Sequence, residues 1–271
     1  MIIILTDLDG TLLDAETYSC EPAADVLKEI AALQIPLVMM SSKTRSEIES
    51  VRRDLKNNHP FVSENGGGIF IPEGYFPFSV PHTRRTPGYL FVEIGVPYPR
   101  LTRFLERITR GHALPIRGFH SLSVEDVSRL AVLSTPAVSR VKERECDEPF
   151  LFDGDRAQWG RLEEMVAAEG LVLTRGGRFH HVSGPHNKGT AARILIDCYR
   201  RRSPDALFVG LGDAANDLPF LRLVDHPVLV QGSDCTYEPE IDIPGLSYTP
   251  PPGPAGWNRT VLELIGMDRS G

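Results

Sequence analysis

The chain has 271 residues, 41% of them hydrophobic and 24% charged, with a formal net charge of −7; that length can bury a full apolar core in one large domain or two. An acidic balance gives the molecule as a whole no electrostatic affinity for nucleic acid or an anionic membrane surface, so an anionic ligand needs a local cluster of cations. No apolar run approaches a membrane span, and Cys20, Cys146, Cys198 and Cys235 fall into no zinc or redox spacing, which fits reduced thiols.

Met1 leads directly into Ile2-Ile3-Ile4-Leu5 without a basic or cleavable leader, and a cytoplasmic location is expected. The apolar run predicts a short strand buried on both faces. At its carboxyl end stand Asp7 and Asp9, then a turn at Gly10; in an open α/β sheet this is the end at which ligands bind. A helix over about 21–33 follows, with Val26, Leu27 and Ile30 on its apolar stripe. Pro36-Leu37-Val38-Met39-Met40 predicts a second buried strand running into Ser41-Ser42-Lys43, with a helix carrying Ile48, Val51 and Leu55 beyond it. Phe61-Val62 and a glycine-rich turn at 64–68 complete a β-α-β-α-β rhythm, which argues for a parallel sheet with right-handed crossovers.

After Ile69-Phe70-Ile71 the rhythm changes. Residues 74–100 are rich in proline, glycine and aromatics and suit hairpins and a connection. Helices around 101–108, 137–145 and 162–166 alternate with short strands at 150–152, 171–174 and 179–182, the pattern of a separate α+β unit. The parallel rhythm resumes with a helix opened by Lys188 and with the strand 206–211, which ends in Gly212-Asp213-Ala214-Ala215-Asn216-Asp217; a strand at 227–230 and a terminal helix follow. The expected organisation is a Rossmann-like parallel-sheet α/β domain made of residues 1–89 and 184–271, interrupted by an α+β insertion over 90–183.

Four polar groups thus come together at one sheet edge: Asp7/Asp9, Ser41/Ser42, Lys188 and Asp213/Asn216/Asp217. Singly, each has a plain explanation, such as a helix cap for a serine or a solvated lysine. Jointly they divide the labour of phosphoryl transfer. Asp7 is the expected nucleophile, forming a phosphoaspartyl intermediate, and Asp9 the acid that protonates the leaving alkoxide and then activates water. Carboxylates repel a phosphate dianion, so a hard cation must bridge them; Mg²⁺ is expected, with Asp7 and Asp213 as side-chain ligands. Ser41 and Lys188 are expected to hold the phosphoryl oxygens, and Gly10 to let the backbone turn closely about the phosphate.

In this order, Asp7-Leu8-Asp9-Gly10-Thr11, the Ser41 region, Lys188 and Gly212–Asp217 resemble the four motifs of the haloacid dehalogenase (HAD) superfamily, and the insertion resembles the C2-type cap of Cof-like sugar phosphatases. More narrowly, Ser41-Ser42-Lys43-Thr44-Arg45, Glu64-Asn65-Gly66, Arg144–Phe150, Arg175–His181 and Gly256-Trp257-Asn258 are similar to mannosyl-3-phosphoglycerate phosphatases. The resemblance implies hydrolysis of mannosyl-3-phosphoglycerate to mannosylglycerate and phosphate. It adds the Asp9 carbonyl to the metal's ligands and puts Asp217 in or next to its shell. It also implies substrate contacts: Arg175 and Arg178 for the glycerate carboxylate, Glu148 and Asn65 for the hexose hydroxyls, and Gly10, Ser42 and Asn216 beside the phosphate. His180 and Cys146 stand where tyrosine is expected, and of His180 and His181 at most one can face ligand.

The alternatives are another Cof-like sugar phosphatase acting on glucosyl-3-phosphoglycerate or a hexose phosphate, a hexose phosphomutase on the same core, and a silent metabolite-binding module. Gly210-Leu211-Gly212-Asp213-Ala214-Ala215 also fits a dinucleotide-binding GxGxxA, with Asp234 at a suitable distance. Partners are limited to a small phosphorylated substrate, with no nucleic acid and no membrane.

Overall fold

The computed structural model describes residues 1–131, 134–176, 179–239 and 241–268. Its first part runs β1 (Ile2–Thr6), α1 (Ala24–Ala32), β2 (Leu37–Met40), α2 (Arg45–Asp54), β3 (Phe61–Ser63) and β4 (Gly68–Pro72), followed by the hairpin of β5 (Arg84–Thr86) and β6 (Tyr89–Glu93). A second part holds α3 (Tyr98–His112), β7 (Ile116–Gly118), α4 (Val124–Ala131), α5 (Thr135–Lys142), β8 (Asp147–Phe152), α6 (Arg156–Ala168), β9 (Val172–Gly176) and β10 (Phe179–Ser183). The chain then returns through α7 (Lys188–Arg202), β11 (Leu207–Gly212), α8 (Leu218–Leu221), β12 (His226–Val230), β13 (Ser247–Thr249) and α9 (Gly253–Asp268).

Nine strands form one sheet in the order β13-β12-β11-β1-β2-β3-β4-β6-β5, parallel from β13 to β3 and antiparallel beyond. β1 lies inside it with partners on both sides, which is why its apolar run does not alternate. Ile2 and Ile4 pack with Val26 and Ile30 of α1 and with Trp257, Val261 and Ile265 of α9. Ile3 and Leu5 face the other layer, against Ala191, Leu195 and Tyr199 of α7 and Phe208.

The second part has its own sheet, β7-β8-β10-β9, antiparallel throughout. Leu101, Phe104, Leu105 and Ile108 of α3 and Leu162 and Val166 of α6 pack against Phe150 and Val182 to make its core. Because β6 pairs with β4 in the large sheet, the expected domain boundary at 90 falls inside a strand of that sheet. The chain crosses between the two bodies at 94–97 and 184–187. No helix among the described residues is long and apolar enough to cross a membrane.

Candidate active site

The site is built where β1, β2 and β11 end. Beyond β1 the Asp7 N–H still donates to the Leu211 carbonyl (2.9 Å), so the pairing with β11 carries through to the acidic residue. Thr6 donates its hydroxyl to the Asp7 carbonyl (2.8 Å) and accepts the Trp257 indole N–H (3.0 Å). Gly10 turns the chain at φ +76°, and a Cβ there would stand 2.5 Å from Asp213 Oδ2; only glycine lets the two loops approach so closely. Thr11 closes the junction by donating to Asp213 Oδ1 (2.9 Å).

Lys188, the first residue of α7, is fully buried, and its Nζ donates to Asp7 Oδ1 (2.5 Å) and Asp217 Oδ1 (2.6 Å). Asp217 Oδ2 accepts the backbone N–H groups of Asp213 (3.1 Å) and Ala214 (3.2 Å). Carboxylate oxygens of Asp7, Asp213 and Asp217 lie within 4.8 Å of one another. Burial pushes the Asp7 carboxyl well above the ordinary carboxylate range, with Asp217 and Asp213 adding to the rise and Lys188 opposing it. Burial and Asp217 likewise push Asp213 up to about 6. Three crowded acids with one lysine are short of positive charge, and hard oxygen donors fit a divalent cation that would hold them ionised.

Ser41 is buried after β2; its Oγ accepts the Lys43 N–H (3.2 Å), so the hydroxyl retains its own hydrogen for donation. The helix cap in this stretch is instead Thr44, whose Oγ1 accepts the Glu47 N–H (3.3 Å) while Glu47 accepts the Thr44 N–H (2.9 Å). Lys43 Nζ pairs with Asp9 Oδ1 (2.9 Å) over the Tyr18 ring. Asn65 adopts a left-handed conformation (φ 55°) and accepts from Asn216 Nδ2 (3.0 Å).

Above these groups opens a cleft of about 900 Å³, lined on the large-sheet side by Asp9, Ser42, Lys43, Asn65, Lys188 and Asn216. Arg144, Asp147, Thr174, Arg175, His181 and Ser183 line it from the other body. Asp147 Oδ2 accepts from Arg144 (2.6 Å) and contacts His181 Nδ1 (2.9 Å). Burial acts to raise the Asp147 carboxyl, yet His181 and Arg144 hold it below its ordinary range. Glu148, expected at the ligand, points the opposite way: it is fully buried, and Oε1 accepts the backbone N–H of His120 (3.0 Å) and contacts its ring (2.7 Å). Side chains alternate along a strand, and composition did not disclose which of two consecutive acids faces the cleft. His181 faces it, whereas His180 stacks against Trp159 and Phe150. Arg175 is exposed at the rim; Arg178 lies outside the described residues.

Sequence reasoning also missed the junction between the two bodies. Glu64, fully buried after β3, accepts the backbone N–H groups of Glu145 (2.9 Å) and Cys146 (2.7 Å). His186 bonds the Glu64 carbonyl (3.0 Å), Cys146 Sγ donates to the Gly67 carbonyl (3.3 Å), and Thr44 donates to the Arg140 carbonyl (2.9 Å). Desolvation pushes Glu64 up to about 8 against the pull of Arg144. A lone glutamate before Asn-Gly carries no sequence signal for such a role.

A dinucleotide does not suit this edge. Asp213 stands in an acidic cluster, the helix after it has four residues, and Asp234 is tied into an exposed turn with Thr236 (2.7 Å); pyrophosphate needs free amides and a positive helix end. An acid pair after the first strand, a buried lysine and a second acid pair under an inserted cap define instead a HAD-type hydrolase, whose members use a divalent metal.

Residues 4–76 match the haloacid dehalogenase-like hydrolase family. The fold is shared by a HAD-superfamily phosphatase from Bacteroides thetaiotaomicron (TM-score 0.64, 18% identity, 98% of this chain and 95% of that one). It is also shared by a HAD subclass IIB sugar phosphatase (TM-score 0.59, 14% identity, 99% of each chain). At the level of sequence, a glucosyl-3-phosphoglycerate/mannosyl-3-phosphoglycerate phosphatase of Methanococcoides burtonii is 40% identical over 99% of this chain and 98% of its own. Its counterpart in Persephonella marina is 36% identical over 97% of each. A mannosyl-3-phosphoglycerate phosphatase of Pyrococcus horikoshii is 33% identical over 84% of this chain and 90% of its own. The chain is a phosphatase and belongs to the mannosyl-3-phosphoglycerate phosphatase family of the HAD superfamily.

Proposed function

We propose that this protein is a Mg²⁺-dependent phosphatase of the cytoplasm that hydrolyses hexosyl-3-phosphoglycerate, mannosyl and glucosyl alike, to hexosylglycerate and phosphate. The observation that carries the reading is the cluster of Asp7, Asp213, Asp217 and Lys188 at one sheet edge beneath a polar cleft. Relatives at 36–40% identity that are named for both hexosyl substrates favour dual acceptance.

Asp7 attacks phosphorus in line and becomes the acyl phosphate; the P–O bond to the glycerate breaks, and Asp9 gives its proton to the departing oxygen. Asp9 then takes a proton from the water that attacks the phosphoaspartate, restoring Asp7 and freeing phosphate. Lys188 neutralises the phosphoryl oxygens, and Ser41 donates to one of them. Gly10, Ser42 and Asn216 flank the phosphate; Asn65, bonded to Asn216, and Lys43 face the remainder of the substrate. Asp7, Asp213 and the Asp9 carbonyl would hold Mg²⁺, which supplies charge neutralisation between nucleophile and substrate. Both Asp217 oxygens are already bonded, so this residue is assigned to orienting Lys188 and the Asp213 loop next to the metal. The large-sheet body, residues 1–93 and 188–271, carries the chemistry, and the second body, 98–183, the selectivity.

The test is phosphate release with Mg²⁺ across mannosyl- and glucosyl-3-phosphoglycerate, free 3-phosphoglycerate and hexose phosphates, with product analysis. Both hexosyl-phosphoglycerates should have the highest kcat/KM. Preferred turnover of simple hexose phosphates, or an isomeric sugar phosphate as product, would overturn the assignment.

A further inference from the structure

The two walls of the cleft differ in the charge they present. Among the described residues, the acidic group that lines it from the second body is Asp147 alone, since Glu148 beside it turns into the core of that body. Asp147 is held from both sides: Arg144, itself nearly buried and further anchored by Nε on the Val141 carbonyl (3.1 Å), and His181, reached across from β10. Both contacts fall on Oδ2, leaving Oδ1 as the acceptor available to a ligand.

An ionised carboxylate accepts hydrogen bonds and donates none. It repels a phosphate or a carboxylate and prefers hydroxyl groups. The substrate proposed above has two acidic parts and one neutral polyol. Lys188, Lys43 and Arg175 are cations available to the acids; Asp147 suits only the polyol.

Resting on the hexosyl-phosphoglycerate reading, we propose that Asp147, aimed by Arg144 and His181, accepts hydroxyl hydrogens of the hexose and sets selectivity for glycosylated over unglycosylated phosphomonoesters. Arg144 and His181 are positioning residues. They fix the rotamer of a side chain that would otherwise have to be ordered at the moment of binding. A buried carboxylate on a rigid strand is a strict reader, because a ligand lacking the hydroxyl leaves the charge without a partner.

The experiment measures kcat and KM for mannosyl-3-phosphoglycerate, 3-phosphoglycerate and p-nitrophenyl phosphate with Mg²⁺. In Asp147→Asn the ratio of kcat/KM on the hexosyl substrate to that on either sugar-free one should fall about tenfold to a hundredfold, mainly through KM. His181→Ala should lower the same ratio about five- to tenfold, and His181→Gln, which can still donate to Asp147, should recover part of it. If Asp147→Asn does not fold, the two His181 variants decide. A ratio preserved within about twofold in the variants that fold, or a uniform loss on all three substrates, overturns the role of Asp147. Wild-type protein that turns over p-nitrophenyl phosphate but neither hexosyl-phosphoglycerate overturns the functional reading itself, a separate outcome.

Discussion

Replacing Glu64 by glutamine removes a charge from the junction of the two bodies and keeps its shape. The carboxyl stands at about 8 in the folded protein, raised chiefly by desolvation, against an ordinary value of 4.5. Between those limits the folded protein holds a proton that the unfolded chain does not. Its contribution is therefore complete below about pH 4.5, declines as pH rises, and is gone above about pH 8. Each pH unit in that window is worth about 1.4 kcal/mol, so from pH 5.5 to 7.5 the wild type should lose about 2.7 kcal/mol relative to Glu64→Gln. For a chain of this length that is about 5 °C in Tm. Glutamine brings its own fixed cost of about 1 kcal/mol, because its NH₂ faces one of the two N–H donors of 145 and 146. The variant should thus melt lower at pH 5.5, and the gap should close or invert by pH 7.5. Thermal melts at half-unit pH steps in matched buffers give the comparison; Asp7 and Asp213, which also titrate, are common to both proteins and cancel. A Tm difference constant within about 1 °C across that range would refute the reasoning.

Asp7→Asn should lower kcat at least about a thousandfold while the protein keeps its fold and Tm within a few degrees; sizeable residual turnover would remove Asp7 as nucleophile. Lys188→Met leaves two buried carboxylates facing each other, at a cost of about 3–5 kcal/mol in urea unfolding. That loss should be smaller at pH 5 than at pH 8, because protonation relieves the repulsion; a pH-independent loss would contradict it. Chelation should abolish turnover and Mg²⁺ restore it. With Asp213 at about 6, apparent metal affinity measured by titration calorimetry should weaken as pH falls below that value.

The gathering of Asp7, Lys188, Asp213 and Asp217 was legible because it depends on strands. Ile2–Leu5 and Leu207–Leu211 are apolar without alternation, which announces a covered parallel sheet, and the polar residues that end them can only gather at one edge. The β5–β6 extension and β13 were less visible: Arg84-Arg85-Thr86 and Ser247-Tyr248-Thr249 are short, polar edge strands whose pairing is decided by their neighbours. The second body was harder still. Whether Asp147 or Glu148 faces the cleft depends on a register that one residue's slip would invert, and Glu64 acquires its role only where two distant segments meet.

The indole of Trp257 reaches the hydroxyl of Thr6 across 251 positions of chain, and β1 must wait almost as long for β11. At 5–20 residues per second, a ribosome needs about 10 to 40 s to travel from Ile2 to its β11 partner Leu207. Throughout that interval the nascent β1 can dock β2 on one flank while the other flank stays bare, an invitation to intermolecular pairing. Folding during synthesis is therefore expected to stall at a half-built sheet, and a holdase bound to that flank would raise the yield of active enzyme more than one acting after release.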